Sequence, residues 1–341
     1  MREKVLKKEA LQDFLRRLIA TAKTVAPVRQ PGKHYMLKPV SRAEEVAVEC
    51  PLTYYSPKEF VLPPGETLLC FGRRDGKPFV KPMIEAEDMI LFGLHPCDIN
   101  AMWTYDAAFE SDNKDENYLA RRNRMTVVGM DCLKPCDEYA FCYDMKTNVV
   151  QGRYDLFLTD IGDSYFVRVA TDRGARLLGG APSPSSQQKA ELAKVEKAKE
   201  SSFTKRIEFE TDELPQLLEK SYDSLVWNAV ARRCYSCGSC VLVCPTCYCF
   251  NVEDRLQLNL AAGERKRYWD GCMLAGFAEV AGGENFRRER WQRLRHRLFR
   301  KGKLIKELFN RPGCVGCGRC ERACTSKISI VATYNQLKGG A

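Results

Sequence analysis

Two runs of four cysteines with the same spacing are the residues in this sequence most suited to chemistry. The first run consists of Cys234, Cys237, Cys240 and Cys244, and the second of Cys314, Cys317, Cys320 and Cys324. In each run two residues separate the first three cysteines, and three residues precede the fourth. Three thiolates at this spacing can bind three corners of one iron–sulfur cubane, and the fourth typically ligates the other cluster. The pattern therefore predicts two [4Fe-4S] clusters that exchange their fourth ligands.

The exchange assigns a ligand set to each predicted cluster. Cluster 1 is expected to use Cys234, Cys237, Cys240 and Cys324, and cluster 2 to use Cys244, Cys314, Cys317 and Cys320. Thr325 stands where the first run has Pro245, but this difference removes no ligand. A single C-x2-C pair would suit zinc equally well, whereas the doubled run of four favours iron–sulfur clusters. A disulfide framework is disfavoured because the chain is long and has no secretory signal.

Four further cysteines follow two apolar runs in the first half of the chain. Cys97 comes after residues 89–94, while Cys132, Cys136 and Cys142 come after residues 125–130. Both runs are predicted buried strands, and strand ends that converge in an α/β domain often build a site. Four thiols there could hold a third iron–sulfur cluster. The competing interpretation is that these are ordinary buried cysteines, which are common in protein cores.

The remaining cysteines and the histidines give weaker signals. Cys247, Cys249 and Cys272 are possible ligands of a further centre or packing residues, and the sequence leaves both interpretations open. Cys50 and Cys70 look isolated and are interpreted as structural. The three histidines do not form a metal-binding pattern, and His95 beside Cys97 is interpreted as a packed or capping residue. There is no G-x-G-x-x-G fingerprint, Walker A loop or nucleophile elbow, so no catalytic residue is predicted.

The periodicity of apolar residues predicts two domains and an α+β fold. Residues 1–210 are predicted to form an α/β domain, because helical patterns such as residues 7–23 alternate with short β-like runs. Residues 181–203 are polar and charged and are interpreted as an exposed linker or insertion. Residues 211–341 show helical periodicity and little strand signal between the cysteine runs. They are predicted to form an all-helical, ferredoxin-like domain with two clusters.

Composition and charge limit the possible partners. The chain has 341 residues, a formal net charge of +10 and 45% apolar residues. Each thiolate-bound [4Fe-4S] cluster carries a charge of about −2, which offsets part of this excess. The very basic stretch 287–306 is therefore expected to neutralise clusters or to dock a partner, and nucleic acid is a weaker candidate. The sequence has no apolar run long enough to span a membrane and no signal peptide, which predicts a cytoplasmic location.

Several segments resemble a known family across most of the chain. They are Pro96-Cys-Asp-Ile-Asn-Ala-Met, Phe141-Cys-Tyr-Asp-Met-Lys-Thr-Asn, Asp155-Leu-Phe-Leu-Thr-Asp-Ile-Gly, Cys237-Gly-Ser-Cys, Cys244-Pro-Thr-Cys-Tyr-Cys, Trp269 to Cys272, Ala281-Gly-Gly-Glu-Asn-Phe-Arg and Cys314-Val-Gly-Cys-Gly-Arg-Cys. The sequence resembles the iron–sulfur β subunit of cytoplasmic NiFe hydrogenases (sulfhydrogenases) and the related iron–sulfur subunit of anaerobic sulfite reductase. This family has cysteines at positions that match Cys97, Cys132 and Cys142, so the resemblance favours a third cluster. The spacing around Cys136 differs from the family pattern.

The resemblance implies an electron-transfer subunit of an anaerobic oxidoreductase complex. Such subunits pass electrons between a flavin subunit that binds NAD(P)H and a catalytic subunit. That catalytic subunit would be a NiFe hydrogenase, a sirohaem sulfite reductase or a heterodisulfide-reductase-type protein. Two other functions stay open at this point. One is an autonomous iron–sulfur reductase of a small sulfur compound, and the other is a zinc-bearing protein that binds nucleic acid.

Overall fold

A computed structural model describes residues 2–32, 34–111 and 113–340. The strands are β1 Arg2–Lys7, β2 Lys23–Arg29, β3 Tyr35–Val40, β4 Gly65–Arg74, β5 Lys77–Pro82, β6 Met89–Leu94, β7 Met125–Met130, β8 Leu156–Asp160, β9 Ser164–Val169, β10 Phe250–Leu256 and β11 Ala262–Trp269. The α-helices are α1 Leu11–Thr21, α2 Lys58–Val61, α3 Pro96–Phe109, α4 Glu116–Asn123, α5 Asp172–Leu178, α6 Ser186–Ser201, α7 Leu214–Lys220, α8 Val226–Ala231, α9 Ser239–Leu242, α10 Arg290–Phe299, α11 Ile305–Phe309, α12 Arg319–Arg322 and α13 Ile330–Gly339. Short 3-10 turns span Lys8–Ala10, Ala43–Glu45, Thr211–Glu213 and Ala275–Ala278, and a π-helical turn, Arg300–Leu304, joins α10 to α11.

The larger sheet has seven strands in the order β1-β9-β8-β7-β6-β2-β3. Its four central strands, β8, β7, β6 and β2, are parallel, and antiparallel strands flank them on both sides. Parallel neighbours need a crossover connection. Helices α3 and α4 provide it between β6 and β7, whereas an irregular loop, residues 131–155, leads from β7 to β8. This loop contains three of the cysteines that the sequence singles out.

Helices cover both faces of this sheet. Helix α1 buries Phe14, Leu15 and Leu18 against one face, where α5 packs beside it. Helices α3 and α4 cover the opposite face and bury Tyr105 and Tyr118. Every residue of β7 is buried, as expected for a parallel strand with a helical layer on each side. The carboxyl ends of β6 and β7 are thereby held in place, and the loops after them carry the first cysteines.

The second sheet corrects the predicted fold class. Its four strands are ordered β10-β11-β4-β5, so two strands from between the cysteine runs pair with two from the first half of the chain. The prediction of an all-helical C-terminal domain is therefore wrong. All seven residues of β10 are exposed, so the alternation of Phe250, Val252 and Leu256 with polar residues marks no buried face. β10 is a strand because it pairs with β11, which in turn pairs with β4. Such long-range pairing is not visible in a local sequence pattern.

The connection between the halves contains a long helix. Helix α6 begins at a capping box in which Ser185 and Gln188 cap each other's backbone N–H groups. Most of its side chains are exposed, but Lys199 is buried and lies 2.5 Å from Asp131 and 2.6 Å from the Asn148 carbonyl oxygen. Its last turn is thus anchored beside the loop after β7. The domain boundary near residue 210 stays a prediction. In the described part of the chain, no helix is long and apolar enough to cross a membrane.

Candidate metal centres

The two cysteine runs adopt the same local structure. Gly238 and Gly318 are both left-handed, with φ of 79° and 73°, and each immediately precedes a one-turn helix, α9 or α12. A Cβ atom on Gly238 would lie 2.8 Å from Leu274, and one on Gly318 would lie 2.7 Å from the Tyr139 backbone. Both positions therefore need glycine for conformation and for space. The two helices pack against each other and bring the runs side by side.

The ligands predicted for cluster 1 surround one cavity. Its lining includes Cys234, Cys237 and Cys240 of the first run and Cys324 of the second run. Met273, Leu294 and Ile328 supply apolar walls. Cys237 is the exposed member of the set, whereas Cys240 is half-buried and the pKa of its thiol is raised to about 12, chiefly by burial. The described residues thus place the fourth cysteine of the second run beside the first three cysteines of the first run.

The ligands predicted for cluster 2 lie deeper in the protein. Cys244, Cys314 and Cys317 are all buried. Burial, followed by the effect of the Cys320 thiol, raises the pKa of Cys314 to about 12. The Cys244 sulfur also interacts electrostatically with Cys314 and Cys317. Thiols with raised pKa values bind metal only as thiolates, so iron must displace their protons.

The basic stretch 287–306 points much of its charge inward. Arg293, Arg297 and Lys301 are each at most 5% exposed. Arg293 donates a hydrogen bond to Ser236 Oγ, Arg297 to the Cys240 carbonyl oxygen and Lys301 to Thr246 Oγ1. None of these three has an ion pair with a carboxylate among the described residues. Burial alone would lower the pKa of Lys301, but the sulfurs of Cys244 and Cys247 raise it above its usual value.

This burial separates two hypotheses for the basic stretch. A cation that is buried without an anionic partner is costly, and here thiolates are the available anions. Arg297 and Lys301, which interact electrostatically with the thiols, therefore neutralise charge inside the protein, and these two and Arg293 are too buried to dock a partner. Arg290 is exposed, although it donates a hydrogen bond to the Cys234 carbonyl oxygen at 2.8 Å.

The three other C-terminal cysteines also converge. Cys247, Cys249 and Cys272 line one narrow cavity together with Arg297, Arg300 and Lys301. Next to this cavity Lys58 is almost fully buried and lies 3.6 Å from the ring centre of Trp269. Burial lowers the pKa of Lys58 to about 8, against the opposing effect of Cys247 and Cys244. The cavity thus combines thiols with buried cations, and the role of its cysteines as ligands stays a prediction.

The first-half cysteines meet at the ends of β6 and β7. Cys97 lies in the first turn of α3, and Cys132, Cys136 and Cys142 lie in the loop after β7. The Cys136 sulfur interacts electrostatically with those of Cys97, Cys132 and Cys142. These four thiols form what we call the N-terminal thiol site.

Two residues at the N-terminal thiol site were missed by sequence reasoning. Cys50, interpreted as isolated, lies near Cys136, and burial raises the pKa of its thiol to about 12. A ring nitrogen of His95 and the sulfur atoms of Cys132 and Cys136 lie within 4.8 Å of one another. The only local signal for His95 is its position two residues before Cys97. Cys50 has no local signal because its neighbours come from other parts of the chain.

The N-terminal thiol site and the cluster 2 residues are in direct contact. Cys97, Cys136 and Cys317 belong to one buried apolar cluster with Leu52 and Val315. Backbone contacts reinforce this packing, because the Phe141 N–H donates to the Gly316 carbonyl oxygen at 2.8 Å. The sites therefore follow one another in space, from the N-terminal thiols through cluster 2 to cluster 1 with its exposed Cys237.

A buried ion pair joins the two sites across the sequence. Arg319, one residue before Cys320, donates hydrogen bonds of 2.6 and 3.0 Å to the carboxylate of Asp98. Its Nε donates to the Thr53 carbonyl oxygen at 2.9 Å. Both members of the pair are at most 5% exposed. The pair therefore fixes α3, with Cys97, against the second cysteine run.

Paired cysteine runs with left-handed glycines and buried cations are the features of a protein that binds two iron–sulfur clusters. The sequence comparison agrees with this geometry. Residues 233–328 match the family described as 4Fe-4S dicluster domain. The chain accordingly carries two [4Fe-4S] clusters, for which the eight cysteines of the two runs provide a fitting donor set.

The full chain defines the family more closely. It is 30% identical, over 345 aligned residues, to sulfhydrogenase 2 subunit beta of Pyrococcus furiosus, and the alignment covers 100% of this chain and 99% of the relative. The chain therefore belongs to the sulfhydrogenase β-subunit family, and the predicted resemblance is confirmed. It is an iron–sulfur electron-transfer subunit of an oxidoreductase. No solved structure gives a significant match to it.

Proposed function

We propose that this protein relays electrons between a flavin subunit that binds NAD(P)H and a catalytic subunit of a cytoplasmic complex. The observation that carries this proposal is the spatial order of the thiol sites. They run from the N-terminal thiols, of which Cys132 and Cys136 are partly exposed, through the residues proposed for cluster 2, to the exposed Cys237. A line of sites with exposed or partly exposed cysteines at both ends suits a protein that accepts electrons at one surface and delivers them at another. A reducing compartment keeps such cysteines reduced and able to bind iron.

We further propose the ligands of the relay. Cluster 1 is assigned to Cys234, Cys237, Cys240 and Cys324, and cluster 2 to Cys244, Cys314, Cys317 and Cys320. A third cluster is assigned to the N-terminal thiol site, with ligands drawn from Cys97, Cys132, Cys136 and Cys142. Support for the third cluster comes from the convergence of these thiols and from their contact with Cys317.

A NiFe hydrogenase is the catalytic partner that we propose. The support is the relative of this chain, which by its name is the β subunit of a sulfhydrogenase. A sirohaem sulfite reductase and a heterodisulfide-reductase-type protein are the other outcomes that a test must distinguish. Co-purification of the tagged protein under anaerobic conditions, followed by metal analysis for nickel and a haem spectrum, makes that distinction.

Reduction of the clusters tests the relay. The isolated protein is mixed anaerobically with NADH or NADPH, and its cluster absorbance and EPR signals are recorded with and without the co-purified flavin subunit. We expect no reduction by the nucleotide alone and rapid reduction when the flavin subunit is present. The relay proposal fails if the isolated protein reduces sulfite or polysulfide with a dye donor at the rate of the whole complex.

A further inference from the structure

His95 is placed as a ligand would be. It is the residue before α3, its side chain is 8% exposed, and its Nδ1 atom is buried without a hydrogen-bond partner among the described residues. A buried polar nitrogen without a partner costs free energy, so such an atom needs an explanation. Because neutral imidazole is a common metal ligand, a bound metal would account for this buried histidine, whose side chain also forms a hydrogen bond with Cys136.

The distances around His95 support this explanation. A ring nitrogen of His95 lies within 4.8 Å of the sulfur atoms of Cys132 and Cys136, and these sulfurs lie within the same distance of each other. Cys97 interacts electrostatically with both of these cysteines. Cys142 is not a member of this group of ligand atoms within 4.8 Å of one another. Cys142 therefore lies farther than His95 does from at least one of the Cys132 and Cys136 sulfurs.

The charge around the site also favours a neutral ligand. Three buried or partly buried cations lie near these thiols, and each is paired with a carboxylate: Arg319 with Asp98, Lys199 with Asp131 and Arg322 with Asp137. Little positive charge is left to balance a cluster with four thiolates. Replacing one thiolate by an imidazole removes one negative charge from the ligand set.

We propose that His95 is an iron ligand of the N-terminal cluster, which is then coordinated by His95, Cys97, Cys132 and Cys136. This inference rests on the third cluster of the proposed function and changes one of its ligands, because Cys142 is replaced by His95. Imidazole in place of thiolate raises the reduction potential of an iron–sulfur centre. The N-terminal cluster would then be the one at which electrons collect.

Nitrogen spectroscopy on the full-length protein tests the ligand directly. The wild type is produced anaerobically with [15N]histidine, reduced, and studied by pulsed EPR for strong coupling between the unpaired electron and a histidine nitrogen. We expect this coupling in the wild type and its loss in His95→Cys, which keeps a fourth ligand and hence its iron. The His95→Cys change should also shift one midpoint potential to a lower value. His34→Gln and His296→Gln are controls that should keep the coupling.

The outcomes separate this inference from the proposed function. Cys132→Ser should lose about four irons relative to the wild type, and Cys142→Ser should keep them. If Cys132→Ser loses iron but the labelled wild type shows no histidine coupling, the proposal of a third cluster is supported and the His95 inference is overturned. The wild-type measurement gives that answer even if His95→Cys does not fold. If Cys132→Ser loses no iron, the proposal of a third cluster is wrong, and the His95 inference is wrong with it.

Discussion

The segment with the two cysteine runs and the N-terminal thiol site both bury thiols, but they are assembled differently. Each run builds most of a site within eleven residues, on a left-handed glycine and a single helical turn. The N-terminal thiol site instead collects residues from the ends of two parallel strands and from a loop of no regular structure. The first kind of site is encoded locally, whereas the second exists only when the sheet has formed.

The two regions also differ in how positive charge is used. Near the runs, Arg297 and Lys301 are buried without carboxylate partners, so their charge acts on the thiolates. At the N-terminal thiol site, Arg319 is neutralised by Asp98. A cluster in the first region is therefore surrounded by net positive charge, and a cluster in the second is not. The predictions below test this contrast.

The largest effect is expected from breaking the ion pair between the two regions. Asp98→Ala would leave Arg319 buried with an uncompensated charge, which costs about 3–5 kcal/mol of unfolding free energy. Anaerobic denaturation followed by circular dichroism measures the loss. Asp13→Ala is the control, because Asp13 forms an exposed ion pair with Arg16 and should cost less than about 1 kcal/mol. Equal losses in the two variants would contradict the structural role of the pair.

The next effect concerns the local encoding of the runs. Gly318→Ala places a methyl group 2.7 Å from the backbone of Tyr139 in a left-handed conformation. We expect a loss of about 3 kcal/mol, from backbone strain and overpacking together. Gly76→Ala is the matched control, since Gly76 has a similar φ of 76° and no neighbour within 4 Å. It should show the strain alone, about 1 kcal/mol. A smaller loss of stability for Gly318→Ala than for Gly76→Ala would show that the Tyr139 backbone moves to make room for the added methyl group.

The comparison also explains what the sequence could reveal. The cysteine runs were identified because their spacing is a local property, and the buried strands β6 and β7 were identified from their apolar runs. The hairpin of β10 and β11 was missed because β10 is fully exposed and pairs through β11 with residues about 190 positions earlier. His95 and Cys50 were dismissed because a lone residue has no spacing to interpret. Only the folded sheet brings them to Cys136.

A smaller effect is expected from the unpaired charge at cluster 2. Lys301→Met removes a buried cation whose pKa is raised by Cys244 and Cys247 against the effect of burial. Without this charge, reduction of the cluster should be less favourable by about 1–2 kcal/mol per electron. Its midpoint potential should fall accordingly. An anaerobic EPR redox titration measures the shift. Lys303→Met is the control, because Lys303 pairs with Glu219 and Glu307. A shift of the same size in both variants would point to a general charge effect.

The smallest effect concerns His296, a partly buried histidine in the region of the two cysteine runs. His296 lies on α10, and burial, then Arg287 and Arg300, lower its pKa to about 4 from an ordinary value of 6.5. The unfolded chain therefore binds a proton at this residue more strongly than the folded chain does. Stability should fall as the pH drops from about 6.5 toward 4, and His296→Gln should remove that part of the slope. Anaerobic unfolding between pH 7 and pH 5 compares the slopes of the wild type and His296→Gln. An unchanged slope would show that His296 titrates normally in the folded protein, and that burial, Arg287 and Arg300 do not lower its pKa.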